Sequence, residues 1–463
     1  MNPKMAVRLI AALSILSVAA IALPRSAHAF CGFYVGKADA GLYNHASQVA
    51  IVRNGDRTVI SLMNDYAGPL DEFALVVPVP TVLEKGQVHV GDRALFSKLD
   101  AYSSPRLVEY HDSDPCELIA PMSMQRMAGL GAAASAPISR ERAKALGVTI
   151  ESEYTVGEYD IVILSATQSG GLETWLLEQG YKIPAGASRA LEPYIRQGMK
   201  FFVAKVNLKE QKRTGLSYLR PLQFAFESPK FMLPIRLGMI NAQGPQDLII
   251  YMLTQQGRVE TTNYRTVKLP TAIDIPGHVR DNFGDFYKAM FNHQVSLNDN
   301  RAVFTEYVWN MNWCDPCAGP PLSPEDLRAL GVFWLGDGAG AYNGPSPRRG
   351  PYVPMYQRST PGAVILTRLH VRYSAETFPE DLMFQETQDQ ESYQARYVIR
   401  DRWTGSPDAC PRARDYFEHV RVEQSQEAQN LAELTGWDLN AIMKQAGYTE
   451  PPARPRWWQS LWQ

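Results

Sequence analysis

The sequence predicts an α+β protein built mostly of antiparallel β-sheet modules, with an α/β insertion and a helical C-terminal region. Three observations carry this. Residues 47–52 and 57–62 are β-rich runs joined by Asn54-Gly55-Asp56, and an Asn-Gly turn between such runs is the strongest short-range hairpin signal. Helix-like and strand-like segments alternate from about residue 138 to 207. Residues 415–447 read as one long and one short helix, broken around Gly436.

In chain order, the first element is a targeting segment. Lys4 and Arg8 are the only charges ahead of an apolar run at residues 9–23, which Pro24 ends and Ala27-His28-Ala29 follows. This is the order of a secretory signal peptide: charged start, apolar stretch, small-residue cleavage site. Fifteen residues make a helix of about 22 Å, short of a hydrocarbon core of about 30 Å. Cleavage after Ala29 is therefore expected, giving a periplasmic or secreted chain without a transmembrane span. Phe30 ahead of Cys31 argues against lipidation.

Cleavage would remove three of the 46 basic residues and none of the 48 acidic ones, leaving a net charge near −5. No Lys/Arg-rich block is present, so the electrostatic footprint of a nucleic-acid-binding protein is missing. A chain of 463 residues has room for two or three domains at about 150 residues each. The expected division is a β-rich unit at 30–269, carrying the insertion, and an α+β unit at 270–463.

After the hairpin, Phe73-Ala74-Leu75-Val76-Val77 reads as a strand ending in Pro78-Val79-Pro80. Proline has no N–H for a ladder, so this end belongs at a sheet edge or bulge. Within the insertion, residues 140–146, 172–178 and 187–196 read as helices, and 160–164 and 201–206 as strands. Runs at 231–240, 247–253 and 258–268 read as a three-stranded meander, and the Gly/Pro-rich residues 336–362 as a surface loop. Residues 363–373 form a strand with Leu369, Val371 and Tyr373 on one face and Arg368, His370 and Arg372 on the other. A later run, 395–400, places Arg396 and Arg400 together.

Five cysteines remain to be placed: Cys31, Cys116, Cys314, Cys317 and Cys410. Trp313-Cys314-Asp315-Pro316-Cys317 has the spelling of a thiol–disulfide site, which needs its first cysteine at a helix N-terminus. Ala318-Gly319-Pro320-Pro321 prevents that, and the helix start falls at Ser323 as N-cap with Pro324 and Asp326 behind it. Zinc would need two more ligands, and no second Cys-x-x-Cys exists. The preferred reading is a structural disulfide, Cys314 with Cys317 or one of them with Cys410. Cys31 with Cys116 is the expected second bond, leaving Cys410 free if 314 and 317 pair.

Phe73-Ala74-Leu75-Val76-Val77-Pro78-Val79-Pro80, Leu172-Glu173-Thr174-Trp175-Leu176, Cys314-Asp315-Pro316-Cys317, Arg396-Tyr397-Val398-Ile399-Arg400 and Leu434-Thr435-Gly436-Trp437 occur in this order. Together they resemble the exported bacterial domain-of-unknown-function family 2330. The resemblance implies an exported protein with paired cysteines and implies no activity.

Other chemistry is sparse. No Gly-x-Ser-x-Gly elbow is present. His111-Asp112-Ser113-Asp114-Pro115-Cys116-Glu117 has the donors of a weak cation loop, with Asp112 and Asp114 as candidate ligands, but also reads as a turn holding a disulfide cysteine. The stripe of Arg368, His370 and Arg372, joined by Arg396 and Arg400, can take a carboxylate or phosphate, or form a solvated sheet face. Ser169-Gly170-Gly171 opens a helix without the spacing of a phosphate-binding loop. Trp457, Trp458 and Trp462 beside Arg454 and Arg456 suit a membrane interface, a partner or the protein's own body. No cofactor and no metal are expected. The sequence thus favours a non-catalytic binding protein of the envelope; the alternative is a periplasmic hydrolase or a thiol–disulfide oxidoreductase using Cys314 and Cys317.

Overall fold

The computed structural model describes residues 33–34, 43–44, 47–63, 66–67, 74–116, 147–179, 186–216, 218–240, 244–313, 315–316, 318, 321–335 and 363–448. The expected signal peptide, the expected helix at 140–146, the 336–362 loop, Cys31, Cys314, Cys317 and the three tail tryptophans lie outside them.

The hairpin forms as the turn dictates. Ser47–Asn54 pairs antiparallel with Arg57–Met63, and Gly55 turns the chain with φ +59°, a region side-chain-bearing residues avoid. These two strands sit inside a nine-stranded sheet. Its order is Arg265–Lys268, Ala302–Asn310, Ile365–Tyr373, Gln246–Thr254, Ser47–Asn54, Arg57–Met63, Leu222–Glu227 and Val88–Val90, with Tyr393–Gln394 also on Ala302–Asn310. Neighbours are antiparallel except at Gln246–Thr254 with Ser47–Asn54 and Arg265–Lys268 with Ala302–Asn310. The sheet draws strands from both sides of residue 269, so the boundary expected there falls inside one sheet.

A five-stranded antiparallel sheet packs on one face: Phe33–Tyr34, Ala74–Val79, Lys200–Val206, Tyr159–Ala166 and Val148–Val156. Val49, Ile51, Ile60 and Leu62 of the large sheet share a core with Leu75, Val77, Ile161 and Phe202 of the smaller one. Helices Ser169–Glu178 and Ala187–Arg196 cover its outer face through Leu172, Trp175, Leu191 and Tyr194. They lie against each other and return the chain to the end it left, so the following strand runs antiparallel. Pro78 faces Phe201, and among the described residues Phe33–Tyr34 pairs with Val76 and Leu75 and not with Pro78.

The expected meander does not form. Met232–Leu233 pairs with Leu382–Glu386, while Gln246–Thr254 joins the large sheet. Pro234 cannot continue a ladder, and the chain turns into the short helix Arg236–Met239.

On the other face of the large sheet, helix Arg93–Ser103 buries Leu95, Phe96, Leu99 and Tyr102 against Ala50, Val52, Tyr251 and Tyr307. Helix Pro324–Ala329 begins as its sequence predicts. The Asp326 N–H donates to Ser323 Oγ at 3.1 Å and the Ser323 N–H to Asp326 Oδ2 at 3.2 Å. Just beyond it, Gly331 has φ +98°, and a Cβ there would lie 2.6 Å from Val59 Cγ1. Only glycine allows that approach.

The C-terminal helical region comprises Phe283–Leu297, Pro411–Thr435 and Leu439–Ala446, with the break at Gly436. It shares a core with the parallel sheet Ile273–Asp274, Arg396–Asp401 and Arg106–His111. No described helix is long and apolar enough to cross a membrane. The fold is α+β.

A disulfide joins Cys116 to Cys410, with Cα atoms 6.1 Å apart. This corrects the expected pairing of Cys31 with Cys116 and the expected free thiol at Cys410, and it removes Cys410 as a partner for Cys314 or Cys317. The reason is the parallel pairing of Arg106–His111 with Arg396–Asp401, which sets His111 opposite Asp401. Both chains leave that sheet at the same end and carry the two cysteines together.

Candidate functional site

The basic stripe on Ile365–Tyr373 is neither solvated nor open to an anion. Arg368 and His370 are each 6 % exposed, and helix Phe283–Leu297 covers this part of the strand. Phe291 stacks on the His370 ring at 3.7 Å, nearly parallel. Burying cations there requires counter-charge, and the neighbouring strands and helix Arg93–Ser103 supply it. Glu306, fully buried, accepts from Arg368 Nε at 2.5 Å and contacts His370 Nδ1 at 2.9 Å. The Tyr287 hydroxyl also donates to Glu306. Asp100 takes Arg368 Nη1 at 2.7 Å, and Asp247 takes Arg372 through two bonds of 2.8 and 2.7 Å. His370 Nε2 lies 3.5 Å from Asp247, a charge contact rather than a hydrogen bond.

Strand register explains the meeting. Asp247 stands directly opposite Arg372, and Tyr251 opposite Arg368. Glu306 is the extra residue of a bulge, since Thr305 pairs with Leu369 and Tyr307 already with Arg368. The bulge turns Glu306 and Tyr307 towards the same face. Reading the sequence by alternation alone missed Glu306, Asp247 and Asp100. A lone carboxylate within the apolar run Ala302-Val303-Phe304-Thr305-Glu306-Tyr307-Val308-Trp309 was the available signal.

Burial alone would raise the Glu306 carboxyl, but Arg368 and His370 reverse that and hold it near 2. Asp247 is likewise held low by His370 and Arg372 against burial. Burial would lower His370, yet Glu306 and Asp247 raise it above its ordinary value. The signs then set a pH window. The carboxylates' contribution to stability is complete above their ordinary values of 4.5 and 3.8 and is lost as pH falls through their depressed ones. That of His370 is complete below 6.5 and is lost as pH rises through its elevated value. Urea midpoints are therefore expected to peak between about 4.5 and 6.5 and to fall on both sides. A midpoint flat from the acid to the alkaline side would refute the arrangement.

The remaining sequence candidates separate. Arg396 and Arg400 lie on the parallel sheet, where Arg400 pairs with Asp274 at 2.7 Å, so the five basic residues do not form one face. Asp112 accepts from Arg402 at 3.2 Å and from the Tyr416 hydroxyl at 2.8 Å. Asp114 accepts the Cys116 N–H at 2.7 Å within the disulfide turn. Asp315, one of the two residues between the Cys-x-x-Cys cysteines in sequence, is 2 % exposed. It accepts from the Tyr307 hydroxyl at 2.8 Å and from Gln394 at 3.2 Å.

A groove of about 380 Å³ opens over the large sheet beside helix Pro324–Ala329. Val59, Gln223, Ala225 and His89 line its sheet side, and Arg328, Gly331, Val332, Phe333 and Leu335 the opposite side. Gln223 stands opposite both Ser61 and His89, so a polar row crosses three strands. Its amide donates to Ser61 Oγ at 2.8 Å and to the Ala329 carbonyl at 3.2 Å.

Residues 25–385 match the model of domain-of-unknown-function family 2330, an uncharacterised protein conserved in bacteria. The chain belongs to this family. The match takes in the hairpin, the five-stranded sheet, the groove and the Glu306 network, and it stops before the Arg396–Asp401 strand and the terminal helices. No curated protein and no solved structure matches the chain.

Proposed function

We propose that this family member is exported to the cell envelope and works by binding a ligand or partner rather than by catalysis. The observation that carries the compartment is the Cys116–Cys410 bond, since such bonds persist where the environment is oxidising. The residue order at the N-terminus supports the same compartment. Two contrasts support binding. The charged groups Glu306, Asp247, Arg368, His370 and Arg372 neutralise one another beneath a helix, an arrangement that holds structure together. The open groove instead offers donors and apolar surface, the composition of a binding site. A redox reading retains one supporting observation, the buried carboxylate of Asp315 within the Cys-x-x-Cys segment.

Native mass spectrometry and non-reducing peptide mapping of protein recovered from the periplasm test the proposal. The expected product begins at Phe30, carries a bound molecule or partner, and has Cys116–Cys410 plus Cys314–Cys317 bonds. A mature protein retaining Met1 would refute export. Reactive thiols of low pKa at both Cys314 and Cys317 would replace binding with the redox reading.

A further inference from the structure

We propose that the turn at residues 310–313 is a docking point for a neutral glycan, with the Trp313 indole as its stacking platform. This rests on the binding reading above and adds a second surface to it, since no residue of the turn lines the groove.

Trp309-Asn310-Met311-Asn312-Trp313 leaves the large sheet where Asn310 stands opposite Ile365. Met311, 7 % exposed, turns into the core beneath helix Arg93–Ser103, and Trp309 packs on that core with its ring stacked on Tyr307. Trp313 does the opposite. It is 57 % exposed, and among the described large apolar side chains only Leu297 is more so. Its backbone is nevertheless fixed. The Trp313 N–H donates to the Asn310 carbonyl at 3.0 Å and the Asn312 N–H to Asn310 Oδ1 at 3.1 Å. The Trp309 indole N–H donates to the Trp313 carbonyl at 3.1 Å, which ties the turn to the core. Binding residues are commonly carried in this way, on a loop positioned by a rigid scaffold.

The neighbours select the ligand. The Asn312 amide is exposed and makes no hydrogen bond among the described residues, and the Asn310 side chain uses only its oxygen. None of these side chains is charged, so the turn offers an ion no partner. An apolar protein surface laid over Trp313 would strip water from the amides without replacing it, which is costly. A sugar ring meets both needs. Its flat C–H face packs on the indole, and its hydroxyl rim supplies donors and acceptors to the amides. β-Linked pyranoses with equatorial substituents have the broadest such faces.

The oxidised full chain would be titrated with triacetylchitotriose, cellotriose and mannitol, the last offering hydroxyls without a ring face. Calorimetry reads affinity, and the Trp313 indole N–H resonance reads position. At least one trisaccharide is expected to bind and shift that resonance, and mannitol to do neither. Trp313→Ala is expected to abolish binding with an unchanged melting temperature, because an exposed ring contributes little to the fold. Asn312→Ala and Trp313→Phe, which keeps a smaller ring, should each weaken binding by about tenfold. Flat titrations with both trisaccharides, or undiminished binding by Trp313→Ala, would overturn the proposal. Flat titrations together with self-association that Trp313→Ala removes would assign the ring to a second copy of the chain instead. The broader binding reading is decided separately, by the native mass of the periplasmic protein.

Discussion

Replacing Glu306 with Gln is expected to lower the unfolding free energy by about 3–5 kcal/mol, the usual cost of removing one partner from a buried ion pair. The amide keeps the shape and one acceptor but leaves Arg368 and His370 short of a negative charge. Arg368, 7 % exposed in its side chain, retains Asp100. His370, stacked under Phe291, keeps the Tyr287 hydroxyl at 2.9 Å from Nδ1, and its remaining counter-charge is Asp247 at 3.5 Å. It can relieve the imbalance by giving up its proton, so the variant should lose the alkaline fall in stability along with part of the acid one. Urea unfolding at several pH values measures both. A loss under about 1 kcal/mol with an unchanged pH profile would place the network outside the forces that hold the helix to the sheet.

The second large effect is expected at the disulfide. Cys116 and Cys410 are separated by 294 residues, and a bond closing so long a loop removes much of the freedom of the unfolded chain. Cys410→Ser is expected to lower stability by about 2–5 kcal/mol, and Cys116→Ser by the same amount. The bond joins the turn held by Asp114 to the N-cap of helix Pro411–Thr435. Melting curves of the two variants should coincide below that of the oxidised wild type. Superimposable curves for oxidised wild type and Cys410→Ser would mean the bond contributes nothing to holding these segments together.

Much of the architecture was legible in the chain because it depends on neighbours in sequence. The Asn54-Gly55 hairpin, the capping box at Ser323 and Asp326, and the helix break at Gly436 each follow from backbone geometry within a few residues. The α+β class follows from the sum of such local signals. The groove was not legible, because Val59, His89, Gln223 and Arg328 come from four separate segments.

Strand partners belong to the tertiary structure alone. Period-2 alternation correctly placed Arg368, His370 and Arg372 on one face, but it could not say what lies opposite. Register brought Asp247 to Arg372, a single bulge turned Glu306 inward, and a helix closed over them. The cysteines repeat the lesson. The expected Cys31–Cys116 bond gives way to Cys116–Cys410, because the parallel pairing of Arg106–His111 with Arg396–Asp401 carries those two together. Sequence by itself determines turns, caps and faces, since these are settled over one or two turns of chain. Which face meets which charge, and which cysteine meets which, is decided by strand order, because pairing joins residues whose separation along the chain carries no signal of their contact.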